Sequence, residues 1–314
     1  MQRISQKIPT KEYFMLKIAF SPIYRLKLPD GHRFPMEKYE LLPEQLLYEG
    51  TTTEENFFEP EPISEDLILR THEKEYWEKL KNLTLSPKEI RAIGFPINEH
   101  FIKRTITIAN GTLQAMLFAK KYGVAMNAAG GTHHSFTYKG EGFCLLNDQA
   151  IASNYLLDSN LAKKILIVDL DVHQGDGTAQ IFQNENRVFT FSMHGEKNYP
   201  NRKEKSDLDI GLPDGCDDDF YLKTLKNTLP RLIDEVQPDH VFFQSGVDIL
   251  ATDKLGRLSV SPEGCRERDR YVLQTCKDNK LPVVCSMGGG YSERIADIVN
   301  AHANTYRVAQ EVYF

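Results

Sequence analysis

The chain has little that would commit it to an extracellular, membrane or nucleic-acid setting. Its five cysteines (Cys144, Cys216, Cys265, Cys276 and Cys285) are scattered, with no C-x-x-C. That excludes a disulfide framework and a thiolate zinc site, and it fits a reducing cytoplasm. The N-x-T tripeptides at Asn82 and Asn110 are accordingly not read as glycosylation signals. Runs of Leu, Ile and Val are short, so no membrane span is expected. Basic residues do not predominate. The 38 Lys and Arg against 44 Asp and Glu leave a net charge of −6, which argues against a direct grip on nucleic acid. Internal repeats and low-complexity linkers are missing, which favours one domain over the 314 residues. The start of the chain, MQRISQKIPTKEYFML, lacks the apolar core of a secretory signal. Residues 1–14 are expected to be an extension, a short targeting peptide or an alternative start, and 15–314 the folded domain.

What is present is a 41% hydrophobic chain with a regular alternation of patterns. Leu16–Phe20, Val124–Ala129, Ile165–Leu170, Val188–Met193, His240–Gln244 and Pro282–Ser286 read as strands. Between them, 37–49, 74–81, 101–122, 147–158, 219–236, 262–279 and 292–312 read as helices. Strands alternating with helices imply an α/β fold, a mostly parallel central sheet covered on both faces. Polar clusters follow several of these strands, where open α/β sheets place their ligands.

The densest cluster closes the Lys163–Thr178 stretch, KKILIVDLDVHQGDGT. Asp169, Asp171 and His173 sit two apart, so on an extended backbone they would project to one side. Three groups that are costly to bury need neutralising, and an Asp-x-His pair suits a divalent cation of borderline softness, zinc first. Asp176 adds a further carboxylate. His133 and His134 follow Gly130-Gly131 after another strand. Alone they could be ordinary loop histidines; beside a metal site they are candidates for proton transfer, each needing a carboxylate to fix its tautomer. Asp248, at the end of FFQSGVDI, is either a helix cap or a third metal ligand. Gly288-Gly289-Gly290-Tyr291 permits close backbone approach, and its tyrosine can donate to an oxyanion. A phosphate cradle fails there, because no Lys-Ser/Thr follows and G-x-G-x-x-G is not matched. The remaining histidines (His32, His72, His100, His194, His240 and His302) read as surface or satisfied core residues.

Taken together, GGTHH at 130–134, GFCLLND at 142–148, VDLDVHQGDGT at 168–178, QSGVD at 244–248 and GGGY at 288–291 resemble the zinc-dependent histone deacetylase family of the arginase/deacetylase superfamily. The likeness runs from about Phe20 to Tyr291 and is strongest to the class IV branch and its bacterial relatives. It implies a single three-layer α/β/α domain and a zinc-dependent amide hydrolase acting on acyl-lysine. By the resemblance, Asp171, His173 and Asp248 hold zinc, or iron(II) in the cell. His133 and His134 are the catalytic pair, partnered by Asp169 and Asp176, and Tyr291 acts on the transition state. Phe143 would line a narrow acyl channel with Gly142 and Gly289, Leu255 would lie near its rim, and Arg33 would stand near an acetate exit pocket. A potassium ion near Asp169 and Ser192 is implied as well. Arginase-type ureohydrolases are disfavoured: their two-manganese site needs carboxylates where this chain has Gly175 and Leu250. Deacetylation of acetylpolyamines or other small amines, and a non-catalytic acyl-lysine reader, stay open. An oligomer is also left open.

Overall fold

The computed structural model describes residues 14–314. The expected extension 1–14 lies outside the described residues except for Phe14, whose ring packs against those of Tyr122 and Phe314. Among the described residues, eight strands form one sheet: β1 (Lys17–Ala19), β2 (Phe57–Phe58), β3 (Val124–Asn127), β4 (Ile165–Asp169), β5 (Val188–Gly195), β6 (Leu208–Leu212), β7 (His240–Gln244) and β8 (Val283–Ser286). Their order is β2-β1-β3-β8-β7-β4-β5-β6, and every neighbouring pair is parallel. Every residue of β3, β4, β7 and β8 is buried, as unbroken apolar runs such as Ile165–Val168 require of a strand covered on both faces.

Helix Glu99–Tyr122 packs on β1, β3 and β8 and against Asp148–Asp158. Ile295–Tyr313 packs on β3 and groups with Pro262–Asp278 and Lys38–Tyr48, completing the three layers. Local chemistry sets several helix starts. The side chains of Asn98, Asn147, Asp217 and Ser261 each accept a first-turn N–H, satisfying donors that the helix itself cannot.

The strands read from sequence are all present within a residue or two at most ends. β2 and β6 carried no clear pattern, because each is an edge strand completed by its neighbour. β6 mixes exposed Asp209 and Gly211 with one fully buried residue, Leu212. Helix Pro87–Ile93 was also unread, although its Ser86/Glu89 capping box and leading proline are a sequence signal. The adjacency β3-β8-β7-β4 has the main functional consequence: it sets the carboxyl-end loops 130–134, 287–291, 245–253 and 170–176 side by side.

Candidate metal and catalytic site

The chain leaves the extended conformation at Asp169, so strand alternation does not bring Asp171 and His173 together as expected. A tight loop does it. Asp171 N–H donates to Asp169 Oδ1 (3.2 Å), and His173 N–H donates to Asp171 Oδ1 (3.0 Å). Asp248 arrives from the loop after β7 and accepts Val172 N–H at 2.9 Å. One ligand atom from each of Asp171, His173 and Asp248 then lies within 4.8 Å of the other two, and all three residues are buried. His173 Nδ1 stands 3.0 Å from Asp171 Oδ1 and 3.1 Å from Asp248 Oδ2. Gly289 N–H donates to Asp171 Oδ2 at 2.8 Å, and a Cβ at that glycine would collide with Asp248 Oδ2. Burial, then the Asp171 charge, push the Asp248 carboxyl up to about 7. Two carboxylates facing one imidazole nitrogen in a buried pocket require a cation, and this N/O donor set fits a divalent ion such as zinc.

His133 and His134 emerge from a loop that Asp148 clamps. Asp148 accepts from Gly131 N–H (3.1 Å), Thr132 N–H (2.8 Å) and the Thr112 hydroxyl (2.5 Å). Asp148 was missed from sequence, though it ends the GFCLLND motif. His133 Nδ1 lies 2.7 Å from Asp169 Oδ2, and His134 Nδ1 lies 2.6 Å from Asp176 Oδ1. The two rings are 4.1 Å apart. Burial alone would lower His133, but the charges of Asp169 and Asp171 outweigh it and raise the imidazole to about 9. Burial and the neighbouring His133 lower His134 below the ordinary histidine value, despite Asp176.

A channel of about 210 Å³ leads outward from these groups, its wall formed by Phe143, Tyr199, Tyr291, Leu255 and Gly142. Gly142 and Phe143 both have positive φ (52° and 69°), and their N–H groups bond Ala92 O and Ile93 O at 3.1 and 2.7 Å. A left-handed phenylalanine costs about 1–2 kcal/mol, and here it aims the ring into the channel. The Tyr291 ring centroid is 6.0 Å from that of Phe143 and 6.4 Å from that of His173. Burial and the nearby Asp248 and Asp171 charges push its phenol well above the ordinary tyrosine value, which keeps the proton on. Tyr199 was missed from sequence: its ring lies 5.0 Å from that of His134, and its hydroxyl donates to Glu141 at 2.9 Å. Asp253, also missed, accepts Tyr291 N–H (2.6 Å) and Leu255 N–H (2.8 Å).

Arg33 does not stand near an inner exit pocket. Its guanidinium lies over the Phe143 ring, 5.0 Å from the centroid, in the outer channel. Its turn precedes helix Lys38–Tyr48, whose first residue, Lys38, is the cation that reaches the site. Fully buried Lys38 donates to Gly288 O at 3.2 Å, and burial lowers its ammonium to about 8. Behind the metal ligands, fully buried Arg268 donates to Leu170 O (3.3 Å), Gly246 O (2.6 Å), Ser245 O (3.2 Å) and Asp269 Oδ1 (2.8 Å). It thereby ties together the two loops that carry Asp171 and Asp248.

The histone deacetylase domain family matches residues 32–306. A Picosynechococcus protein described only as uncharacterized is 45% identical over 296 residues, covering 94% of this chain and 99% of its own. Histone deacetylase 2 of Arabidopsis thaliana is 28% identical over 292 residues, covering 90% of this chain and 74% of that protein. The crystal structure of an HDAC homolog complexed with SAHA shares the fold, with a TM-score of 0.81 at 23% identity, covering 94% of this chain and 84% of that one. With most of its length inside the family's domain, the chain belongs to the histone deacetylase family and is a deacetylase-type amide hydrolase.

Proposed function

We propose that the protein removes acetyl or longer acyl groups from lysine side chains of proteins. The observation that carries this reading is a channel walled by Phe143, Tyr199 and Tyr291 that ends on a buried Asp171–His173–Asp248 cluster beside two aspartate-held histidines. Aromatic walls suit the four methylenes of a lysine stem and shield it from bulk water. Arg33 at the outer channel disfavours a polyamine, whose second ammonium would meet a like charge.

Asp171, His173 and Asp248 would hold the divalent ion. When bound, that ion supplies electrophilic pull on an amide carbonyl and acidifies water from about 16 towards about 7. His134 is the neutral member of the pair, with Nδ1 engaged by Asp176. Its Nε2 takes the proton of the attacking water and later gives it to the leaving nitrogen. His133, held by Asp169, supplies positive charge and a hydrogen bond. The Tyr291 phenol donates to the oxyanion as it develops. Hydrolysis breaks the C–N bond, forms a C–O bond from water, and leaves a free amine and a carboxylate. Asp169 and Ser192 are direct partners across β4 and β5, which suits a potassium ion beside them.

The test is turnover by zinc-loaded protein of acetyl-lysine peptides against N-acetylated polyamines and other small acetylated amines. Peptides should be hydrolysed with the higher kcat/KM. Turnover confined to the small amines would overturn the protein-lysine reading.

A further inference from the structure

A second cavity extends inward from the metal ligands, with room for about 50 Å³. Its lining runs from Asp171 and His173 past Gly130–His134 to Tyr39, Ile108 and Arg104. Arg104 projects from helix Glu99–Tyr122 and is only 5% exposed. Its Nε donates to Tyr24 O at 2.6 Å, and its guanidinium stacks against Tyr39, with Cζ 4.8 Å from the ring centroid. Among the described residues no carboxylate lies within ion-pair distance of it. Arg268, the other deeply buried arginine discussed above, has Asp269 and three carbonyl oxygens. A buried guanidinium without a counter-charge is costly, and its planar fork is shaped for a carboxylate.

We propose that this cavity receives the terminal carboxylate of a short dicarboxylic acyl group, of the succinyl type, with Arg104 as its counter-ion. The inference rests on the acyl-lysine reading above and names its acyl class. Space agrees. One water needs roughly 10–15 Å³ by the same measure, so the cavity holds a few heavy atoms beyond the amide carbonyl and no long acyl chain. Charge agrees as well. A neutral acetyl or butyryl group leaves Arg104 buried and unpaired, whereas a terminal carboxylate pairs with it. Hydrolysis breaks the C–N bond to lysine Nε and forms a C–O bond from water. The water's proton goes to the departing amine, which leaves with a dicarboxylate.

The experiment compares acetyl-, butyryl-, succinyl- and glutaryl-lysine peptides on the zinc-loaded full chain. Succinyl-lysine should exceed butyryl-lysine, its uncharged analogue in length, by about 10- to 100-fold in kcat/KM, the range of a charge-assisted hydrogen bond. Arg104→Gln should erase that ratio, and Arg104→Lys should restore part of it. A wild-type succinyl-to-butyryl ratio at or below one overturns the proposal without any variant having to fold. Turnover of acetyl-lysine alongside that result would leave the lysine reading standing. Should no lysine peptide turn over, titration calorimetry decides: succinate must bind wild type and bind Arg104→Gln at least tenfold more weakly. Equal binding of acetate and succinate would make the cavity a seat for the product carboxylate and would also overturn the proposal.

Discussion

His133 and His134 are adjacent in sequence, both buried, and each has Nδ1 within 2.7 Å of an aspartate, yet their surroundings push them in opposite directions. His133 faces the metal side, where Asp169 and, 3.9 Å from its Nε2, Asp171 favour the charged form. His134 faces the channel, beneath the Tyr199 ring, where burial and the His133 charge favour the neutral form. The local motif is the same for both; the difference is where the surrounding carboxylates lie. One dyad therefore suits fixed positive charge, and the other suits proton acceptance.

The strongest test of that division is to take away the metal side. Chelation, or Asp248→Ala, should bring turnover to the assay baseline, and zinc should restore the chelated wild type but not the variant. Elemental analysis should find one divalent ion per chain. Two ions, both retained by Asp248→Ala, would break the single-site reading.

His134→Ala should lower kcat by about 10²–10⁴-fold with metal content unchanged. Near-normal turnover would transfer the proton-accepting role to His133. Tyr291→Phe should lower kcat by about 10²–10³-fold, far more than it raises KM. An effect on KM alone would make that ring a channel wall. His133→Ala should cost less than His134→Ala; a larger loss would reverse the comparison between the dyads.

The smallest expected effect is in the pH profile. A base works only when neutral, so the rate should rise with pH through the His134 value and fall again as His133 loses its positive charge near about 9. Since that value is lowered, the acid limb should lie below the ordinary histidine range. Asp176→Asn removes the one neighbouring charge that raises it through a direct hydrogen bond, and should shift the limb further to acid. A limb that stays in place in Asp176→Asn would assign it to another group.

Much of the fold was legible because its periodicities are local. Ile165–Val168 and His240–Gln244 are apolar enough to demand burial on both faces, and helix Lys74–Lys81 has the bounds its pattern predicts. The metal-ligand candidates were legible because Asp, His and Asp at strand ends are too costly to bury without a purpose. Tyr199, Asp253 and Asp148 were not legible, since a tyrosine or an aspartate in a loop carries no signal until its neighbour is known. Arg33 and Arg104 make the point most directly. In the sequence Arg33 follows Gly31-His32 in a loop and Arg104 falls in the 101–122 helical stretch; the fold turned the first to the outer channel and buried the second in the inner cavity. By itself, then, the sequence determined the alternation of strands and helices, the family and the groups able to do chemistry, because these depend on residue type and short-range spacing. Only the tertiary structure decided which carboxylate meets which histidine and which cation is left without a partner. Those outcomes depend on strand order and on burial, and so on residues that lie far apart along the chain.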